Sequence, residues 1–246
     1  VSDRPLTAKQ ALERSAPKDR GADVHLRSPA QMREYEAVAD RIAADHPGQV
    51  LDWGAGHGQL AHLLIERGVR VTALDYEPEA TEGEVVRPAR YPDVEIRMTT
   101  EPVRLPYPDA SFDAALSMGV LEHVGDPAAS LDELHRVLRP RGTLYVFKLP
   151  NRRSYLEAMA RRAGLYYHGH LPDDTVYTRR SARALLGAHG FEVRELRLAN
   201  MLPLGVTGRG GARFGDAIWA ANRALAKVPG LNQLATNVEL VARRVP

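Results

Sequence analysis

Hydrophobic positions along this chain alternate between short apolar runs and stretches with a three-or-four spacing. Met32, Tyr35, Val38, Ala39 and Ile42 share one face of a helix that the pattern starts at Pro29 and ends before Pro47-Gly48. Residues 50–53 form an apolar run halted by glycines, and Leu60, Leu63 and Leu64 mark a helix over 60–67. Strands are predicted at 69–74, 94–98 and 112–118, then a helix over 130–138 and a strand over 143–147. The last third reads as a helix over 181–189 stopped by Gly190, a strand over 191–198 and a Gly/Arg-rich loop over 205–215. A helix over 217–226 and a closing strand over 238–242 complete it. Parallel neighbours need crossover helices, so this alternation predicts an α/β domain with a mainly parallel sheet. The two closing strands, joined by a long connection, suit an antiparallel pair at one edge.

The length, 246 residues, fits one domain, with 44% hydrophobic and 26% charged residues. Residues 1–29 mix charges with Pro, Gly and Ser and read as an N-terminal arm or lid. Residues 30–246 form the main domain, with insertions on the substrate side at about 151–178 and 200–230. The sequence has no cysteine, which excludes disulfides, thiolate metal sites and a Cys nucleophile. A formal charge of +2 is too small to argue for a nucleic-acid partner. The Arg pairs Arg152-Arg153, Arg161-Arg162, Arg179-Arg180 and Arg243-Arg244 read as solvated faces, with phosphate contact as the alternative. No apolar run approaches the roughly 18 residues of a membrane span. The early residues lack the apolar centre of a secretory signal, so the expected location is cytoplasmic.

The most informative segment is Val50-Leu51-Asp52-Trp53-Gly54-Ala55-Gly56-His57-Gly58, a buried strand running into three alternate glycines and then a helix. Glycines there permit a tight turn and close approach of a ligand to the backbone. The helix start offers free N–H groups to an anion. A glycine-rich turn that binds nothing has the same local pattern. The spacing is G-x-G-x-G rather than the G-x-G-x-x-G of dinucleotide sites, and Gln59 stands where the third glycine would fall. Asp52 would sit badly beside a pyrophosphate and suits a ligand carrying an ammonium. The second strand ends in Ala73-Leu74-Asp75, where a carboxylate can accept both hydroxyls of a ribose. A loop Asp capping the next helix is the plainer alternative.

With these residues the chain resembles the class I S-adenosylmethionine-dependent methyltransferases, above all small-molecule members of the ubiquinone/menaquinone-biosynthesis type. The resemblance runs from about Val50 to Phe191 through VLDWGAGHG, ALDYEP, LPYPDASFDAALSMGVLEHV and LHRVLRPRGTLYV, and a later GAHGFEV is also shared. It implies a Rossmann-like, seven-stranded, mostly parallel sheet with its last strand antiparallel, flanked by helices. It also implies that Gly54, Ala55, Gly56 and Gly58 line S-adenosylmethionine, with Asp52 near its ammonium, Asp75 on the ribose and Tyr76 beside the adenine. Met118 and Gly119 would flank the methionine part, and Leu121, Glu122 and His123 the floor toward the acceptor.

The chain departs from the family at two points. Thr100-Glu101-Pro102 replaces a Gly-Asp-Ala; Glu101 can still accept from the adenine amino group, but Pro102 has no N–H to give. Arg141-Gly142 replaces a glycine pair.

Methyl transfer from a sulfonium requires a nucleophile held in line, at about 3–3.5 Å from the carbon, and a base if that nucleophile is a hydroxyl. The candidate bases are His123, after the fourth expected strand, and His168 and His170 in Tyr166-Tyr167-His168-Gly169-His170. No metal is required. His57 reads as a cofactor-side residue, and Trp219 with Ile218, Ala221, Asn222 and Leu225 as a partly apolar helix. The expected activity is methylation of a small-molecule acceptor, O-methylation first, with N- or C-methylation as alternatives. A nicotinamide-dependent oxidoreductase and a domain that binds S-adenosylmethionine without turnover are the competing classes.

Overall fold

The computed structural model describes residues 28–45, 48–164 and 174–245. Its first half runs α1 (Pro29–Ala44), β1 (Gln49–Trp53), α2 (Gln59–Glu66), β2 (Arg70–Tyr76), β3 (Val85–Val86), β4 (Ile96–Thr99) and β5 (Phe112–Met118). The second half adds α3 (Pro127–Val137), β6 (Leu138–Pro150), α4 (Tyr155–Arg162), α5 (Arg179–Ala188), β7 (Phe191–Ala199), α6 (Gly208–Leu225) and β8 (Asn237–Arg244).

The strands form one sheet of eight, in the order β3-β4-β2-β1-β5-β6-β8-β7. From β4 to β6 all neighbours are parallel, whereas β8 is antiparallel to both β6 and β7. The mostly parallel sheet with an antiparallel last strand is therefore present. The eighth strand is Val85–Val86, a two-residue exposed pairing on β4 too short to leave a periodic signal. From β1 the chain winds outward to β2 and β4 on one side and to β5 and β6 on the other. In open α/β sheets this reversal opens a crevice beyond the carboxyl ends of the central strands.

Strand alternation divides the core. Val50, Ala114, Leu116, Tyr145 and Phe147 face Tyr35, Val38, Ile42, Leu60 and Leu64 of α1 and α2. Leu51, Trp53, Ala115, Leu144 and Val146 face Leu131, Leu134, Val137 and Leu186 of α3 and α5. Nearly continuous apolar strands, buried on both faces, are what a parallel sheet requires.

Three further elements differ from the sequence expectation. The strand expected over 143–147 is longer, because β6 begins directly at the end of α3 and pairs Leu138 with Phe112 before a bulge. At that bulge the left-handed residue is Arg141 (φ 65°), not Gly142. Gly142 serves close approach instead: a Cβ there would lie 2.8 Å from the Arg139 carbonyl oxygen. The helix expected over 217–226 starts at Gly208, inside the stretch read as a loop. Interior glycines cost a helix about 1 kcal/mol each relative to Ala, and here they permit contact with α1. A Cβ on Gly215 would lie 2.6 Å from Pro29 Cβ. Finally, α4 has no buried residue and so no core-facing stripe to predict it.

The joint between α1 and the sheet is ionic. Lys148, in β6 with φ 64°, places Nζ 3.0 Å from Glu34 Oε2 and 4.8 Å from the centre of the Tyr35 ring. Glu34 is buried and also accepts from Gln31 Nε2 at 2.6 Å and Asn200 Nδ2 at 2.5 Å. Burial opposes the charge on Lys148, but Glu34, Tyr35 and Glu239 together outweigh it and hold the ammonium pKa above its ordinary value. Removing one partner of such a pair leaves the other charge stranded. Lys148→Met is therefore expected to destabilise the fold by about 3–5 kcal/mol in urea unfolding, and adding Glu34→Gln should recover part of that loss. A single-variant loss below about 1 kcal/mol, the level of an exposed pair, would contradict this assignment.

Candidate active site

The site starts where β1 stops. Its register places Asp52 opposite Ala73 and Leu116, and Trp53 opposite Leu74 and Ser117, so the carboxyl ends of β1, β2 and β5 finish at one level. The glycine loop leaves from there and is stitched to β2: the N–H groups of Gly54 and Ala55 both donate to the Leu74 carbonyl, at 2.9 and 3.0 Å. Gly54, Gly56 and Gly58 all have φ in the left-handed region (76°, 57° and 75°). At Gly54 a Cβ would also lie 2.4 Å from Val120 Cγ2, so the loop needs the missing side chain to nest on residues 119–123. At Gly56 nothing lies within 4 Å of the Cβ position, which leaves open space over an exposed backbone.

Two carboxylates frame that space. Asp75 accepts the Gly56 N–H on Oδ2 at 2.9 Å and the Tyr76 N–H on Oδ1 at 2.8 Å. A carboxylate has about four acceptor positions, so further donors can be taken. Asp52 is buried and accepts the N–H of Ala61, an early residue of α2. The αL cap of that helix, Gly58, has no side chain to do so. Its other oxygen, Oδ2, is buried with no hydrogen-bond partner among the described residues. Burial first, then the charge of Asp75, push the Asp52 carboxyl up to about 7. An orphaned carboxylate oxygen beside a glycine cradle fits a ligand that brings its own cationic donor.

Tyr76 and Glu101 lie at the ends of the neighbouring strands β2 and β4. Tyr76, 39% exposed, pairs with Thr99 at the end of β4, and Glu101 follows with its N–H donating to Thr99 Oγ1 at 3.1 Å. On the other side, Met118 ends β5 opposite Phe147, and the Gly119 N–H donates to the Phe147 carbonyl at 3.1 Å. Gly119 has φ 74°, and its Cβ position lies 3.7 Å from Glu122 Oε1.

The turn from Gly119 then carries His123, whose N–H donates to the Val120 carbonyl at 2.8 Å. His123 Nδ1 lies 2.8 Å from Asp174 Oδ1, and the Asp174 side chain is 1% exposed against 21% for the histidine. Its Nε2 points toward Glu122 Oε1 at 3.9 Å. Segment 174–177 is clamped to this turn, because the Thr175 N–H donates to the Glu122 carbonyl and the Tyr177 hydroxyl reaches the Leu121 carbonyl.

Ten expected cofactor residues, Asp52, Gly54, Ala55, Gly56, Gly58, Asp75, Tyr76, Glu101, Met118 and Gly119, thus lie along the carboxyl edge of β1, β2, β4 and β5, with His123 beside them. His168 and His170 lie outside the described residues, as does most of the expected arm over 1–29. Asp174 was missed by sequence reasoning; no local pattern marks it, and it meets His123 across 51 positions of chain. The plainer reading of Asp75, a cap for a following helix, has no support, since its oxygens hold Gly56 and Tyr76. Among the described residues no cluster of three or more His, Asp or Glu is arranged to hold a metal ion, and no helix is long and apolar enough to cross a membrane.

Comparison with known proteins agrees with this geometry. A family model described as a methyltransferase domain matches residues 25–196. A probable S-adenosylmethionine-dependent methyltransferase of Mycolicibacterium smegmatis is 35% identical over 221 residues, 85% of this chain and 77% of that protein. A ubiquinone biosynthesis O-methyltransferase of Xanthomonas campestris is 34% identical over 161 residues, 62% of each chain. Among solved structures, the 1,6-didemethyltoxoflavin-N1-methyltransferase of Burkholderia thailandensis, with S-adenosylhomocysteine bound, superposes with a TM-score of 0.53 at 21% identity. That match covers 100% of this chain and 94% of the other. A possible histamine N-methyltransferase of Thermotoga maritima gives a TM-score of 0.56 at 19% identity, over 90% and 91% of the two chains. Sheet order, glycine cradle and matched sequence converge on one family: this chain is a member of the S-adenosylmethionine-dependent methyltransferases.

Proposed function

We propose that the chain methylates a hydroxyl of a small-molecule acceptor, with His123 as the general base. The observation that carries this reading is the pair of His123 with the buried Asp174 at the edge of the glycine cradle. An Nδ1–H that donates to Asp174 fixes the tautomer in which Nε2 is the unprotonated nitrogen, and it favours the imidazolium formed when a proton arrives. S-adenosylmethionine, when bound, supplies an electrophilic methyl group on a sulfonium.

The chain's own residues then bind, orient and deprotonate. Asp75 would take the ribose hydroxyls beside its bonds to Gly56 and Tyr76, and the ring of Tyr76 would flank the adenine, with Glu101 accepting from the adenine amino group. Asp52 Oδ2 receives the ammonium, which supplies the partner that oxygen lacks. Met118 and Gly119 border the methionine part. His123 removes the acceptor's proton as the oxygen attacks; a base in this role contributes about 10²–10⁴-fold. Residues 151–178 form the acceptor side, the reading favoured by the origin of Asp174 in that stretch. His168 and His170, from the same insertion, and residues 1–29 are proposed to complete the acceptor side.

Two outcomes follow. His123→Ala is expected to lower kcat by about a hundredfold or more on a hydroxyl acceptor while leaving S-adenosylmethionine affinity unchanged in calorimetry. Asp174→Asn should lower kcat in the same direction, since an amide can favour the wrong tautomer. Unchanged turnover in both variants would remove the base from the mechanism.

The second outcome concerns pH. Asp52 must be ionised to hold an ammonium, and its carboxyl lies at about 7 in the free protein. Affinity for S-adenosylhomocysteine should therefore be full above that value and fall by about tenfold per pH unit below it. Asp52→Asn should bind more weakly with a flat profile, whereas a flat profile in the wild type would show that Asp52 does not meet the ammonium.

A further inference from the structure

A cavity of about 740 Å³ lies between the start of α5 and the end of β7, lined by Arg153, Arg179, Arg180 and Arg183 over an apolar wall of Leu196 and Leu198. Local folding does not account for these arginines. The N-terminus of a helix carries partial positive charge and disfavours cations, yet Arg179, Arg180 and Arg183 fall within the first turns of α5, with no acidic residue in its first turn. The helix start is already satisfied, because Thr178 and Ser181 form a reciprocal cap through bonds of 3.0 and 2.9 Å. Nor does ion pairing account for them. Arg33, Arg67, Arg136, Arg139 and Arg197 each have a carboxylate within 3 Å. None of the four arginines of the cavity has a carboxylate within ion-pair distance among the described residues.

The four arginines are exposed and stand along one open cavity, where like charges repel each other unless an anion joins them, and planar guanidinium forks match phosphate oxygens two at a time. The wall adds a second requirement. Leu198 is a buried member of the main apolar core, and Leu196 is a part-buried residue packed against it. An inorganic anion would leave that wall wet, whereas an apolar chain would cover it. The volume lies within the usual range for small-molecule sites, about 300–1,000 Å³.

We propose that this cavity binds a phosphorylated amphiphile, its phosphate or diphosphate held by Arg153, Arg179, Arg180 and Arg183 and its apolar chain on Leu196 and Leu198. Its lining shares no residue with the glycine cradle, although Arg153 and Thr178 fall in the stretch proposed as the acceptor side, and the proposal does not depend on the choice of methyl acceptor.

The test is calorimetric titration with decyl phosphate below its micelle concentration, beside inorganic phosphate, a neutral decyl maltoside and vesicles containing phosphatidic acid. Decyl phosphate is expected to bind at least tenfold more tightly than either inorganic phosphate or the neutral detergent. Arg179→Ala/Arg183→Ala should lose at least tenfold of that affinity, with S-adenosylhomocysteine binding and the far-ultraviolet circular dichroism unchanged. Arg183→Glu should do the same, which guards against an effect of lost side-chain volume. Retention by monomeric decyl phosphate alone would assign a free phosphorylated ligand; additional, Arg-dependent capture by vesicles would assign a lipid headgroup. Equal binding of decyl phosphate and decyl maltoside, or equal affinity in wild type and variants, would overturn the proposal.

Discussion

The carboxylate of Asp75 holds the site together before any ligand arrives. By accepting the N–H of Gly56 at 2.9 Å and that of Tyr76 at 2.8 Å, it ties the loop after β1 to the end of β2. The same loop is anchored by the Leu74 carbonyl and pressed against Val120 where Gly54 lacks a side chain. Cofactor edge and acceptor turn are therefore one packed unit. A shift at Gly54 would move residues 119–123, and with them His123, which gives the methyl-transfer geometry its reference frame. Holding reacting groups in a fixed near-attack arrangement is the main contribution a protein can make to a displacement with so little covalent work.

Electrostatics divide the labour around that frame. Asp52 carries an unmet demand, a buried oxygen with no partner among the described residues and a carboxyl pushed up to about 7. Asp174 carries a met one, since its buried carboxylate is already joined to His123. The first arrangement suits recognition of an incoming cation; the second suits a base whose orientation is set in advance. Next to the Phe147 carbonyl that Gly119 contacts, part-buried Lys148 and buried Glu34 form a pair that closes α1 onto the sheet.

Much of this was legible in the sequence because its causes are local. Apolar runs named every strand but β3, and alternate glycines between strand and helix named the cradle, since φ values of 57–76° leave few alternatives to glycine. Other features have causes that are not local. The glycines of 208–215 look like a loop until α1 is laid against them, when Gly215 becomes the point of closest approach to Pro29. Arg141 shows the converse, a left-handed position held by a residue that composition would not nominate. Asp174 is an ordinary loop aspartate until the fold brings it to His123. Arg153, Arg179 and Arg180 read as members of solvated pairs until the helix start and the strand end place them with Arg183 along one cavity.

The most direct test of the account is a crystal structure of the protein grown with S-adenosylhomocysteine. The account predicts the nucleoside across the carboxyl ends of β1 and β2, both ribose hydroxyls within hydrogen-bonding distance of Asp75, and the amino group beside Asp52 Oδ2. A ribose turned away from Asp75, or a ligand seated anywhere but over Gly56, would contradict it.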